Sequence, residues 1–134
     1  MKMKHQTVFC GLSGIFFTIL TFLFGNVDYS FIFLCICMVT DFLTGLMCGA
    51  YNKNLSSDIC IKGLMKKLLI LVYVMIGHQV DVLLKVDYVR IGVCYMYAVG
   101  EVLSIIENGV TLGVPVPDVL VKALDMINGG EEKK

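Results

Sequence analysis

Apolar residues in this chain come in long runs, without the short alternation or single-faced periodicity of a soluble fold. Thr7–Gly25 reads "TVFCGLSGIFFTILTFLFG" and carries no charge. Ser30–Tyr51 is interrupted only by Asp41, and Leu64–Leu84 has Lys66 and Lys67 at its start and His78, Gln79 and Asp81 near its far end. Ile91–Ile106 contains Glu101. About 20 helical residues cross a hydrocarbon layer ~30 Å thick. The pattern therefore predicts an all-α, polytopic membrane protein, one membrane domain over residues 1–134. Its core is a bundle of four transmembrane helices over about 7–25, 30–51, 64–84 and 91–106. Three spans are the alternative, because Glu101 costs the fourth run roughly as much as its aliphatic residues contribute, about 3 kcal/mol each way. The first run is longer than the about 7–15 apolar residues of a signal peptide. "NVDYS" follows it without a small-residue cleavage site, so it reads as retained.

The polar segments between runs are short. In "NKNLSSDICIKGLMKK", Ser57 followed by Asp58 suits a helix start, with a hydroxyl cap and an acid in the first turn. After the fourth run, Pro117 suits the first position of a further helix. Val116, Val119, Leu120, Ala123, Leu124 and Ile127 form a stripe opposite Asp118, Lys122 and Asp125. That predicts a short amphipathic helix over about 117–128, lying on the membrane face or on a neighbouring subunit.

Composition agrees with a lipid solvent: 57% of the 134 residues are hydrophobic, 16% are charged, and the mean hydropathy is +0.83. Eleven basic residues balance eleven acidic ones, so no global field points to nucleic acid. Lysine placement sets orientation. Lys2, Lys4, Lys53, Lys62, Lys66 and Lys67 fall at the N-terminus and around the second connection, against Lys85 and Arg90 on the other side. The positive-inside rule then puts the N-terminus in the cytoplasm, and the C-terminus too if there are four spans. Tyr29, Tyr51 and Tyr88 fall at span ends, where an aromatic belt would put them. Five of the six cysteines sit in apolar runs without a C-x-x-C spacing, and only two histidines exist to complete a zinc set. They read as small buried hydrophobes.

No motif for hydrolysis, phosphate binding or metal chemistry occurs, and Ser104 has no base beside it. The chain reads as a non-enzyme without cofactor or metal. His78 and Asp81 share a helical face and read as a polar pair near the outer interface, or as part of a proton relay. Asp41 and Glu101 are more telling, since a carboxylate in lipid must be protonated, paired or turned toward protein or water. Asp41, Gly45 and Gly49 share one face, and Gly-x-x-x-Gly lets membrane helices approach closely. Cys94, Ala98 and Glu101 form a comparable stripe in the fourth run. These faces are candidate contacts, either within one bundle or between copies in a homo-oligomer.

"TDFLTGLMCGAYNKNLSSDICIKGLMKK" resembles the central signature of the toxin-secretion/phage-lysis holin family of Gram-positive bacteria, their phages and prophages. The matching positions are Asp41, Gly45, Ser56 and Ser57, Gly63-Leu64, and Lys66-Lys67. "GEVLSIIENGVTLGVPVPDVLVKAL" is similar to the family's C-terminal signature at Glu101, Ser104, Ile105, Glu107, Asn108, Gly113, Pro115 or Pro117, and Leu124. The resemblance implies a small protein of the bacterial host cytoplasmic membrane that accumulates, oligomerises and opens timed lesions. Its partners would be membrane lipids and further copies of itself. Endolysin, or in some relatives a large toxin, would pass through without stable binding. Two other classes fit the residues alone: a small proton-coupled transporter using Asp41, His78 and Glu101, or an accessory subunit of a membrane assembly.

Overall fold

A computed structural model describes residues 2–120 together with 122 and 126. Among them the chain is entirely helical: α1 (Lys2–Phe24), α2 (Tyr29–Tyr51), α3 (Ser57–Leu84) and α4 (Val89–Thr111). Each apolar run falls in its own helix, the first overrunning α1 by Gly25 alone. The fourth helix continues five residues past the end the hydropathy pattern gave it, to Thr111. Two helices, α2 and α4, are long and apolar enough to cross a membrane by length and composition, and Ser13–Phe24 is a shorter apolar stretch.

The helix ends follow local chemistry. Asp28 caps α2, its side chain accepting from the Phe31 backbone N–H. Ser56, one residue before the predicted cap, accepts from the Ile59 N–H at the start of α3. Lys85 takes a left-handed conformation to close α3, and Gly113, at φ +80°, follows the end of α4 where a Cβ would be strained. Leu120 N–H bonds Pro117 O at 2.9 Å and residues 118–120 are helical. Most of the predicted amphipathic segment lies outside the described residues.

The bundle is built around α4, which packs along α2 and, less extensively, α3; α1 touches mainly α3. Leu34, Cys37, Met38, Ile70, Val74, Cys94 and Ala98 form the core, with Leu34 and Val74 fully buried. Tyr73 and Tyr97 stack between α3 and α4 with ring centroids 5.6 Å apart. At Gly77 the helices α3 and α4 approach closely: a Cβ there would sit 3.2 Å from Arg90 Cα. The core is small, and beside its apolar residues it buries charges that a soluble protein usually leaves at its surface. Lys67, Asp81, Arg90 and Glu101 are buried, while Ile36, Val39, Leu43, Leu64, Met65, Leu68, Met96 and Val99 face outward. An apolar exterior around paired charges is what a lipid solvent selects. Helix hydroxyls obey the same constraint: Thr18, Thr40 and Thr44 each donate to a carbonyl of the preceding turn, leaving no free donor toward lipid.

Candidate functional site

Asp41, Lys67 and Glu101, from α2, α3 and α4, meet inside the bundle. Lys67 Nζ donates to Asp41 Oδ2 at 2.7 Å and also to Glu101 Oε2. Asn108 Nδ2 reaches Asp41 Oδ1 at 3.4 Å and Thr44 Oγ1 at 3.0 Å. Cys48 Sγ donates to the Asn108 carbonyl at 3.2 Å, tying the end of α2 to α4. Asp41 and Glu101 fall near the centres of α2 and α4, so both would lie about 15 Å from either helix end. One ammonium therefore bridges two carboxylates in the middle of the bundle. The pairing is the second of the three solutions open to a carboxylate in lipid.

A cavity of about 300 Å³ lies beside this triad. Asn52 and Asn54 of the α2–α3 connection line it, as do Ser104 and Asn108, and Asp41 and Lys67 border it. Gly45 also lines the cavity, and a Cβ there would meet only Asn108 Nδ2, at 3.9 Å. At Gly49 a Cβ would sit 2.9 Å from Leu55 Cδ1, in the connection that follows. Among the described residues, the Gly45/Gly49 face thus borders an open cleft and a loop and brings no second helix backbone close.

Toward the other helix ends lies a second ionic layer. Arg90 Nη2 pairs with Asp28 Oδ2 at 2.5 Å, and Ser30 Oγ donates to Asp28 Oδ1 at 2.7 Å. Burial pushes the Asp28 carboxyl up, but the Ser30 hydroxyl, the Phe31 N–H and the Arg90 guanidinium outweigh it and hold it below the usual aspartate value. Asp81 accepts from the Val89 and Arg90 backbone N–H groups, each at 2.9 Å, and so caps α4 from the end of α3. His78 packs near Gly25, at the junction of α1 and α2. It lies 11 residues, about 16 Å of helix, from Lys67. The Asp41–His78–Glu101 relay is therefore not assembled.

Of the other residues singled out by sequence, Ser104 and Asn108 join the cavity, while Lys66, Glu107, Pro115 and Pro117 are exposed. Sequence reasoning used Lys67 as an interfacial charge and as a family-signature position, and missed its pairing. A signal was present: Asp41 lies 11 residues before Asn52 and Lys67 11 residues after Ser56. In an antiparallel helix pair those positions share a depth. The Asp28–Arg90 pair and the Asp81 cap carried no comparable signal, because both depend on how α4 docks.

Comparison with known proteins gives the chain a family. Residues 18–129 match the bacteriophage holin family. The chain is 38% identical over 128 residues to an uncharacterized protein of Listeria innocua, covering 92% of this chain and 91% of that one. An uncharacterized Clostridium perfringens protein is 36% identical over 125 residues, 90% of this chain and 93% of its own. A "probable holin" of Bacillus phage phi105 is 28% identical over 114 residues, 84% of each. No solved structure matches significantly. The chain belongs to the bacteriophage holin family, which is not an enzyme family. Membership suggests a holin role and, with the two apolar helices, a membrane location.

Proposed function

We propose that this family member acts as a holin in the cytoplasmic membrane of a bacterial host. It inserts as a four-span bundle with both ends and the α2–α3 connection in the cytoplasm. It then accumulates, oligomerises and opens timed lesions that release endolysin. The observation that carries this reading is the Asp41–Lys67–Glu101 layer at mid-depth of an otherwise lipid-facing bundle. A lesion former must be stable while dispersed in lipid and yet able to line water once concentrated. Three charged groups paired with one another inside one chain meet the first demand. The same charges, once separated and hydrated, meet the second. A pore wall needs polar side chains that a lipid-facing surface cannot expose.

The membrane potential acts on embedded charge at about 2.3 kcal/mol per elementary charge per 100 mV. Any imbalance in the triad therefore couples its opening to the potential. Inducible expression in a bacterium, with and without an endolysin, tests the proposal by turbidity and membrane potential. Abrupt growth arrest with loss of potential, followed by clearing only when endolysin is present, is the expected result. Slow toxicity without permeabilisation would sink it. Collapsing the potential should advance lysis, and Asp41→Asn should shift the lysis time at equal expression. The small-transporter alternative keeps the triad as its observation, but predicts sustained growth with pH-dependent solute movement.

A further inference from the structure

The inner layer does not balance its charge. Asp41 and Glu101 bring two negative charges and Lys67 one positive charge, and the described residues of α2, α3 and α4 place no second cation on the carboxylates. The other titratable groups facing the site are thiols: Cys37 on α2 near Glu101, Cys48 on α2, and Cys60 on α3 at the cavity wall. Ser104 and Asn108 are neutral neighbours from α4. Burying a net charge in a medium of low dielectric costs several kcal/mol, far more than leaving one proton on the pair. Asp41 and Glu101 each place an oxygen against the same Lys67 Nζ, so the two carboxylates are close neighbours. Two carboxylates that near each other share a proton rather than both ionise.

Access to the site is one-sided. The cavity links Asp41 and Lys67 to Asn52 and Asn54, across about 16 Å of helix, and its polar side chains, set among apolar ones such as Phe42 and Leu46, offer partners to water. On the opposite side Leu34, Ile70, Val74 and Cys94 fill the bundle with no more than 3% exposure. That apolar plug extends toward Arg90, about 17 Å of helix from Glu101.

We propose that Asp41 and Glu101 form a proton-binding site over Lys67, holding one shared proton and exchanging it with water only on the side of the α2–α3 connection. The proton comes from that aqueous phase and returns to it. While it is bound the triad is neutral. Its loss leaves one net negative charge at mid-bundle, which favours hydration and opening. The consequence for lesion timing rests on the holin reading; the proton site does not.

Infrared spectroscopy of the full chain in lipid vesicles tests occupancy. At neutral pH the wild type should show the carbonyl band of a protonated carboxylic acid. Asp41→Asn and Glu101→Gln, each confirmed helical by circular dichroism, should lose it, because the remaining carboxylate pairs with Lys67 as an ion. No band in the wild type, or a band persisting in either helical variant, overturns the shared proton. The wild-type spectrum decides alone if neither variant folds. Sidedness is read with a membrane-impermeant thiol reagent on chains stripped of other cysteines. Gly45→Cys should react from the side at which Lys53→Cys reacts, and a chain retaining only Cys94 should react from neither. Reaction of Gly45→Cys from the opposite side, or of Cys94 from either, overturns one-sided access. All these readouts are independent of lysis, so failure here and failure of the holin reading are separable.

Discussion

The two ionic layers of this bundle carry the same charges and compensate them differently. Asp28, Asp81 and Arg90 make up the outer layer; Asp41, Glu101 and Lys67 make up the inner one. Both hold two carboxylates and one cation. In the outer layer each carboxylate sits at a helix N-terminus, where free backbone N–H groups and the helix dipole carry part of the compensation. Asp28 receives the Phe31 N–H and Asp81 receives the Val89 and Arg90 N–H groups. In the inner layer the carboxylates lie mid-helix, where backbone donors are already used, and one lysine serves both. Equal charge counts therefore yield a fixed structural joint at the end of the bundle and an under-compensated one at its centre.

Removing Lys67 separates the layers most sharply. Lys67→Met leaves both inner carboxylates without a cation, a loss of about 3–5 kcal/mol for a buried pair stripped of its partner. Unfolding of the detergent-solubilised helical bundle should register that loss. A loss under 1 kcal/mol would mean that the inner carboxylates are already protonated or hydrated without Lys67. Next in size is Gly77→Ala. Its Cβ would sit 3.2 Å from Arg90 Cα, so α3 and α4 must part slightly, at about 1–3 kcal/mol. The movement should loosen the Asp81 cap and leave the inner triad paired. Removing that cap directly with Asp81→Ala should cost about 0.5–2 kcal/mol, the range for a lost helix cap.

Acid distinguishes the layers in another way. Asp28 has a depressed folded value, so its contribution is present above the ordinary aspartate range. It fades as pH falls through the folded value, below about pH 4. The outer joint should therefore hold across the neutral range and weaken only in strong acid. A stability titration of wild type against Asp28→Asn would show the two curves converging there and parallel at neutral pH. Curves that diverge toward acid would reverse the sign.

How much of this was legible in sequence follows from the same contrast. Hydropathy marks α1 to α4 because lipid imposes long apolar runs, and Asp41 and Glu101 stand out because each interrupts one. Lys67 did not stand out, since a lysine near a connection satisfies the positive-inside pattern equally well. Only the antiparallel packing of α2 on α3 moves it from the interface to the interior. Arg90 was hidden for a related reason: it looked like an outer interfacial charge until Gly77 let α4 approach α3. Helix register against a neighbour has no local signature. The Gly45-x-x-x-Gly49 spacing was visible and suggested close helix contact, within one bundle or between copies; the approach of Gly77 to Arg90, at a single glycine with no spacing motif, was not visible.

That leaves the smallest expected effect, which bears on oligomerisation. Gly45 borders the cavity, and its added Cβ would meet Asn108 Nδ2 at 3.9 Å, an ordinary contact. Gly45→Ala should then change the stability of the isolated chain by no more than about 0.5 kcal/mol, since it faces an open cleft outside the packed core. It also gains a little from the better helix propensity of alanine. If the glycine face serves only the single bundle, cross-linking yield in membranes and lysis time should match wild type. If copies pack through it, alanine thickens the contact, so cross-linking should fall and lysis should be delayed while the monomer's unfolding stays put. Unchanged unfolding is the control that makes the second result readable: it assigns any delay to the contact between chains, not to the inner triad one turn away.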